Sequence, residues 1–325
     1  MIIERITIGE NIMKKQNKIK AIVTGGQGFI GSHLVDFLID EGWHVIVIDD
    51  NSSECNTKFY KNSNADNYKL NICDFNLIEP LFDGVDYVFH LAAESRIQPS
   101  IENPIYASKV NVEGTCSVLQ AARKHNVKRV IYSGTSSAYG LKNTPPLSEE
   151  MPNDCLNPYS VTKCAGEELC KMYTNLFDLD TVILRYFNVY GVRSPLKGQY
   201  APVVGLFFKQ LFSGGPLTVV GDGKQRRDFT HVKDVVQANL LAALHDNKLN
   251  AEIFNIGSGE NVSIIEIAEL ISKNIEHIPA RSGEARETLA NIDKVQKTLN
   301  WKPTISISDW ILGEKENPSE NYLEG

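Results

Sequence analysis

Ile19-Lys20-Ala21-Ile22-Val23-Thr24-Gly25-Gly26-Gln27-Gly28-Phe29-Ile30-Gly31 is the stretch that decides the fold. A β-branched run, apolar but for one lysine, enters a turn with glycines at 25, 28 and 31, and an amphipathic segment at 32–40 follows. A buried-type strand passing through such a turn into a helix opens a strand–helix–strand unit. Glycines let the backbone turn tightly and approach a pyrophosphate, whose charge then faces the helix N-terminal amides. Gly25, Gly28, Phe29 and Ile30 are therefore expected against a dinucleotide.

Moving outward, the pattern repeats. Val45-Ile46-Val47-Ile48 is a second apolar strand, Val85-Asp86-Tyr87-Val88-Phe89-His90 and Arg129-Val130-Ile131-Tyr132 are further ones, and each of these last two follows a helix-like segment. Mostly apolar strands alternating with helices predict a parallel sheet covered on both faces, a doubly wound α/β (Rossmann) fold. Asp49 ends the second strand 18 residues after Gly31, where a carboxylate would accept the adenosine ribose hydroxyls. Asp50 competes for that role; Asp49 is preferred because it directly follows the apolar run. The following Asp50-Asn51-Ser52-Ser53, with Asn51 assigned to the cofactor, has no arginine for a 2′-phosphate, so NAD is expected rather than NADP. His33 is read as a helix-surface residue and His90 as a buried, hydrogen-bonded one.

After Thr181-Val182-Ile183-Leu184-Arg185-Tyr186 the texture changes, with Pro195, Pro202, Gly214-Gly215-Pro216 and Gly221-Asp222-Gly223 interrupting shorter elements. The expected organisation is an N-terminal extension at 1–17, a nucleotide-binding domain at 18–188, a smaller C-terminal α/β substrate lobe at 189–312, and a frayed polar tail at 313–325. Residues 234–245 and Phe254-Asn255-Ile256 look regular enough to return to the first sheet. The 325 residues suffice for two lobes. With 42% hydrophobic and 22% charged residues the composition is that of a soluble globular protein, and a net charge of −7 argues against a general nucleic-acid or membrane-surface binder. Six cysteines form neither CxxC pairs nor Cys/His clusters, so no metal site is expected and a reducing, cytoplasmic setting is. Met13 starts a more compact sequence, and residues 1–12 have no uninterrupted apolar stretch of a signal peptide.

Asn157-Pro158-Tyr159-Ser160-Val161-Thr162-Lys163 should open a helix, with Asn157 as N-cap and Pro158 in the first turn. Tyr159 and Lys163 then share a face. A phenol with a pKa near ~10 is a poor base at pH 7, but an ammonium ~4 Å away at an effective dielectric of ~20 is worth roughly 4 kcal/mol, about three pKa units. Tyr159 is thus expected as an acid–base group and Lys163 as its activator. Upstream, Ser133-Gly134-Thr135-Ser136-Ser137-Ala138-Tyr139-Gly140 places five hydroxyls where a strand ends.

Together TGGQGFIGSH, HLAAESR, NVEGT, SGTSSAYG, PYSVTK, LRYFNVYG, GDGKQRRDFTHVKDV and LNWKP resemble the extended short-chain dehydrogenase/reductases, within them the NAD-dependent nucleotide-sugar epimerases and dehydratases. The resemblance spans about residues 20–310. It implies that Thr135 hydrogen-bonds the reacting sugar hydroxyl beside Tyr159, that Asn111 and Leu91-Ala92-Ala93 line the cofactor pocket, and that Asn71-Ile72 meet the adenine. Asn188, Arg227, Arg281 and Glu284 would contact the diphosphate and ribose, arginine being suited to phosphate by its bidentate geometry. It also implies a homodimer, through helices around 103–124 and 158–176.

In relatives that eliminate or decarboxylate, an acidic residue stands two positions before the Tyr-Gly pair. Here that position is Ser137, which is no acid or base near pH 7. The expected reaction is therefore epimerisation at C4 of a nucleotide sugar through a 4-keto intermediate, and the resemblance implies a UDP-sugar, UDP-glucose/UDP-galactose first. Thr288 aligns with a position where a large residue closes some pockets, so N-acetylated sugars are expected to fit. Ser133 and Ser136 are read as turn residues. A dehydratase, decarboxylase or reductase, and a non-catalytic dinucleotide-binding protein, remain as alternatives on the same fold.

Overall fold

The computed structural model describes residues 18–54, 56, 58–196, 201–280 and 285–323. Its strands are β1 (Lys20–Thr24), β2 (His44–Ile48), β3 (Asp66–Tyr68), β4 (Tyr87–His90), β5 (Arg129–Thr135), β6 (Thr181–Tyr186), β7 (Val189–Tyr190), β8 (Leu217–Val220), β9 (Arg226–Arg227), β10 (Thr230–His231), β11 (Glu252–Ile256), β12 (Val262–Ser263) and β13 (Ile275–Ile278). The helices are α1 (Phe29–Asp40), α2 (Phe75–Ile78), α3 (Ile97–Glu102), α4 (Pro104–Ser108), α5 (Thr115–Lys124), α6 (Pro158–Phe177), α7 (Val203–Phe212), α8 (Val232–Leu244), α9 (Ile264–Ile271), α10 (Asp293–Leu299), α11 (Ile307–Glu316) and α12 (Glu320–Leu323). A π-helical turn, Lys109–Gly114, joins α4 to α5.

Seven strands form one sheet in the order β11-β6-β5-β4-β1-β2-β3, every pairing parallel. The central strands are buried along nearly their whole length, which is why their sequences run apolar without alternation. Each face carries its own core. Ala21, Val23, Val45, Val47 and Phe89 pack with α1, α8 and the segment through Val295, Leu299 and Trp301; Ile22, Ile46, Val88, Val130 and Ile183 pack with α2, α5 and α6. Chain order reverses between β1 and β4, and a crevice opens beyond the C-terminal ends of such strands.

The last sheet strand comes from beyond residue 189, as expected, because β11 pairs with β6 and α8 lies in the first core. Two buried anchors hold this return. Arg129 donates to Asp180 at 2.5 Å and to the carbonyls of Ala242, Ala243 and His245 at the end of α8. Trp301 donates to the Asp234 carbonyl at 2.9 Å, while the Asp234 carboxylate accepts from Thr304 and Ile305. The smaller lobe has its own cluster, in which Tyr190, Phe207, Phe208, Leu217, Val219, Ile267 and Ile311 are buried. The tail departs from expectation. α11 runs to Glu316 and α12 follows, and Tyr322 is buried with its ring centroid 5.1 Å from that of Phe208, so an aromatic anchor orders a segment whose composition looked frayed.

Candidate active site

One cleft of about 710 Å³ runs from the ends of β1 and β4 to the smaller lobe. Its floor begins at the glycine turn. At Gly25, φ is +68° and an added Cβ would stand 2.7 Å from the Ala92 nitrogen; at Gly31 it would stand 2.1 Å from the Gly25 carbonyl oxygen. The turn is thus closed against α1 and the Leu91-Ala92 loop, while Gly28 faces the cleft. No side chain caps α1 and no acidic residue occupies its first turn, so its amides remain available to an anion. Those features fit the pyrophosphate of a dinucleotide.

Gly25, Gly28, Phe29, Ile30, Asp49, Asn71, Ile72, Leu91, Ala92 and Ala93 all line the cleft. Asp49 accepts from the Gln27 and Asn51 amides at 2.9 Å each; burial pushes its carboxyl above the usual range, and those two bonds oppose the rise. Asp50 also lines the cleft, but its carboxylate accepts from Asn71 Nδ2 at 2.8 Å and from the Ser52 amide at 3.0 Å. Two further predicted cofactor residues are engaged in hydrogen bonds with their neighbours. Asn51, with φ +59°, turns its amide to Gln27. Asn111, held by the π-helical turn, accepts from the Glu94 amide at 2.8 Å and donates to the Glu94 carbonyl at 3.0 Å and to Thr162 at 2.9 Å. It positions the wall loop and α6 together.

His90 is buried as expected, and its tautomer follows from its partners. Thr115 donates to the Asn111 carbonyl and so accepts from His90 Nε2, leaving Nδ1 to accept from Thr24 at 2.7 Å. Burial pushes this imidazole down to about 3. His33 departs from expectation: its Nε2 donates to the Val192 carbonyl at 2.9 Å, tying α1 to the loop after β7.

Thr135, Tyr159 and Lys163 converge on the same cleft. α6 begins as its sequence predicts, with Pro158 in the first turn and Asn157 and Ser160 forming a reciprocal capping box. Tyr159 is further fixed where its amide donates to Ser100 Oγ at 3.0 Å. Thr135 ends β5 and accepts from the Ser137 amide at 3.1 Å, with its hydroxyl acting on the Tyr159 phenol. The electrostatics differ from the simple Tyr/Lys expectation. Burial pushes the Tyr159 phenol above its ordinary value, the Thr135 hydroxyl and the Arg96 guanidinium oppose this, and burial likewise pushes Lys163 down to about 8. Desolvating both groups outweighs their proximity on one helix face.

At the far end, Ser137, Asn188, Arg227 and Thr288 line the cleft. Asn188 donates to the Asp228 carbonyl at 2.9 Å and to Thr288 Oγ1 at 3.4 Å, and Thr288 Oγ1 accepts from the Asp228 amide at 3.3 Å. Asp228, which sequence reading passed over, is fully buried and accepts from Ser258, Gly259 and Ala290. It joins three segments distant in sequence, so no local pattern announces it. Arg226 is occupied by Asn261 and Glu266, and Arg286 by Asp222. Arg281 and Glu284 lie outside the described residues. Ser133, Ser136, Glu94 and Arg96 also line the cleft, and Ser133 does more than turn the chain, since it bonds the Tyr186 hydroxyl at 3.1 Å. Among the described residues no group of side chains could hold a metal ion.

Residues 21–257 match the NAD dependent epimerase/dehydratase family. A UDP-N-acetyl-alpha-D-glucosaminuronate decarboxylase of Bacillus cytotoxicus is 37% identical over 321 residues, covering 92% of this chain and 96% of that protein. A UDP-glucose 4-epimerase of Mycolicibacterium smegmatis is 34% identical over 304 residues, covering 90% and 96% respectively. Among solved structures, UDP-glucose 4-epimerase of Thermotoga maritima with UDP-glucose superimposes with a TM-score of 0.85 at 33% identity, covering 90% of this chain and 96% of that one.

Proposed function

We propose that this chain, which belongs to the NAD dependent epimerase/dehydratase family, is an enzyme that epimerises a UDP-sugar at C4 through a transient 4-keto sugar. The observation that carries the reading is the convergence of Thr135, Tyr159 and Lys163 on the cleft that begins at the glycine turn and Asp49. When bound, NAD supplies the oxidising and then the reducing equivalent at C4. The Tyr159 phenolate, stabilised by the Lys163 ammonium, takes the proton of the sugar's 4-hydroxyl and the resulting phenol later returns it, while Thr135 holds that hydroxyl. Asp49 serves the adenosine ribose and the α1 amides the pyrophosphate. Asn188 and Arg227 serve the sugar nucleotide's diphosphate, with Arg281 and Glu284 assigned to the same nucleotide. Ser137 offers no acid for elimination.

A second reading, decarboxylation of a UDP-uronic acid, is favoured by the 37% identity to the Bacillus cytotoxicus enzyme. One experiment separates them: incubate the purified protein, without added NAD, with UDP-, GDP- and CDP-sugars and identify products by NMR. Interconversion of UDP-glucose and UDP-galactose is expected; carbon dioxide and a UDP-pentose from a UDP-uronic acid would replace the first reading by the second. Thr288, half-buried at the cleft, leaves room for an N-acetyl group, so interconversion of UDP-GlcNAc and UDP-GalNAc is expected in the same panel. A homodimer is the proposed assembly, supported by exposed apolar residues Ile101 and Ile105 ahead of α5 and Val161, Met172 and Leu176 along α6. Light scattering on the eluting protein should return twice the chain mass.

A further inference from the structure

Below the cleft lies a charged pair that the chemistry above leaves unused. Glu167 stands one helical turn beyond Lys163 and two beyond Tyr159, so the three share a face of α6. It is fully buried and gripped by Arg185 of β6: Nε donates to Oε1 at 2.9 Å and Nη2 to Oε2 at 2.6 Å. Arg185 Nη2 also donates to Asn153 Oδ1 at 2.8 Å. β5 crosses this pair at Gly134, where an added Cβ would lie 3.1 Å from both Glu167 Oε1 and Arg185 Cγ. The glycine of SGTSSAYG is thus the point where the strand makes room for the ion pair, one residue before Thr135. A buried pair contributes little net stability, since desolvation cancels most of its attraction.

We propose that Glu167 is a positioning residue of this site: locked by Arg185 one turn beyond Lys163 on the same helix face, its carboxylate keeps the lysine charged. The proposal rests on the Tyr159–Lys163 reading above. Burial depresses the Lys163 ammonium, and Glu167 is the strongest influence opposing that fall, ahead of Cys170 and Cys164 on the same helix. The other groups around Lys163 cannot replace it. Tyr132 of β5 offers its ring 4.2 Å from Nζ, His90 of β4 is neutral, and the Tyr159 phenol, raised by burial, is uncharged until it gives up its proton.

The test measures Lys163 directly, by competitive acetylation across a pH series with quantification of its peptide by mass spectrometry, beside the pH profile of kcat. Wild type should titrate near 8 at Lys163. In Glu167→Gln the titration and the alkaline limb of kcat should both fall by about one pH unit, while Glu167→Asp keeps both near wild type. The double variant Glu167→Gln/Arg185→Met removes both charges and restores folding if the pair is only structural, yet its Lys163 titration should stay low. A folded double variant with Lys163 titrating as in wild type overturns the proposal. Retained turnover in Tyr159→Phe would instead sink the acid–base reading, and the acetylation result would still decide the coupling of Glu167 to Lys163.

Discussion

Tyr159 works against its own burial, since an enclosed phenolate is disfavoured until positive charge and hydrogen bonds compensate it. Replacing it by Phe removes the proton acceptor while leaving the aromatic packing, so kcat should fall by roughly 10²–10⁴ with the NAD content of the purified protein, read by its absorbance after release, unchanged. Turnover within a few-fold of wild type would rule out Tyr159 as the base. His90 gives a stability prediction whose sign is set by its environment. Its pKa is 6.5 in an ordinary setting and about 3 in the fold, so the stability due to its neutral form is complete above pH 6.5 and declines as pH falls toward 3. The loss is about 1.4 kcal/mol per pH unit in that window. Urea unfolding at pH 7 and pH 5 should therefore show a smaller acid loss in His90→Gln than in wild type, and equal losses would contradict the assignment.

α6 carries Tyr159, Lys163 and Glu167, and its start and packing are fixed by different means. The start is local: Asn157 accepts from the Ser160 amide at 2.9 Å, and Ser160 Oγ accepts from the Asn157 amide at 3.3 Å. Asn157→Ala should cost about 1 kcal/mol in chemical unfolding. The packing is tertiary. At Gly166 an added Cβ would fall 2.1 Å from the Tyr132 hydroxyl, whose proton goes to the Lys163 carbonyl at 3.1 Å. Gly166→Ala should thus destabilise by about 1–3 kcal/mol and shift the helix against β5, lowering both thermal midpoint and kcat. An unchanged midpoint would show that the helix and β5 have room to separate there. The glycine turn, the capped helix and the hydroxyl turn were all legible in sequence because each is a local pattern. Asn111 was singled out by resemblance, yet its bonds to Glu94 and Thr162 come from a π-helical turn that no spacing announces.

At the scale of the molecule, the two lobes are not separable at residue 188. β11 completes the sheet beside β6, and α8 and Trp301 cover one face of its core. A chain cut after residue 188 would expose the β6 edge and that apolar face, and should be aggregated or lack cooperative unfolding by circular dichroism. A monomeric, cooperatively folding fragment would refute this. The return of 234–245 and 254–256 to the first sheet was readable from their apolar runs, whereas the ordering of the tail through Tyr322 was not, since one aromatic in a polar segment signals nothing until Phe208 is beside it.

By itself the sequence determined the sheet, the glycine turn, the shared helix face of Tyr159 and Lys163 and the hydroxyl in place of an acid at Ser137, because strand periodicity, glycine turns and helix spacing act within a few residues of chain. Only the tertiary structure decided which groups surround those residues. It tied Asn51 to Gln27 and Asn111 to Thr162, set Asp228 beneath Asn188 and Thr288, and put the Arg185–Glu167 pair under Gly134. Burial at these points is a property of the assembled sheet and helices, and burial is what raises the Tyr159 phenol and lowers the Lys163 ammonium from the values their side chains have in water.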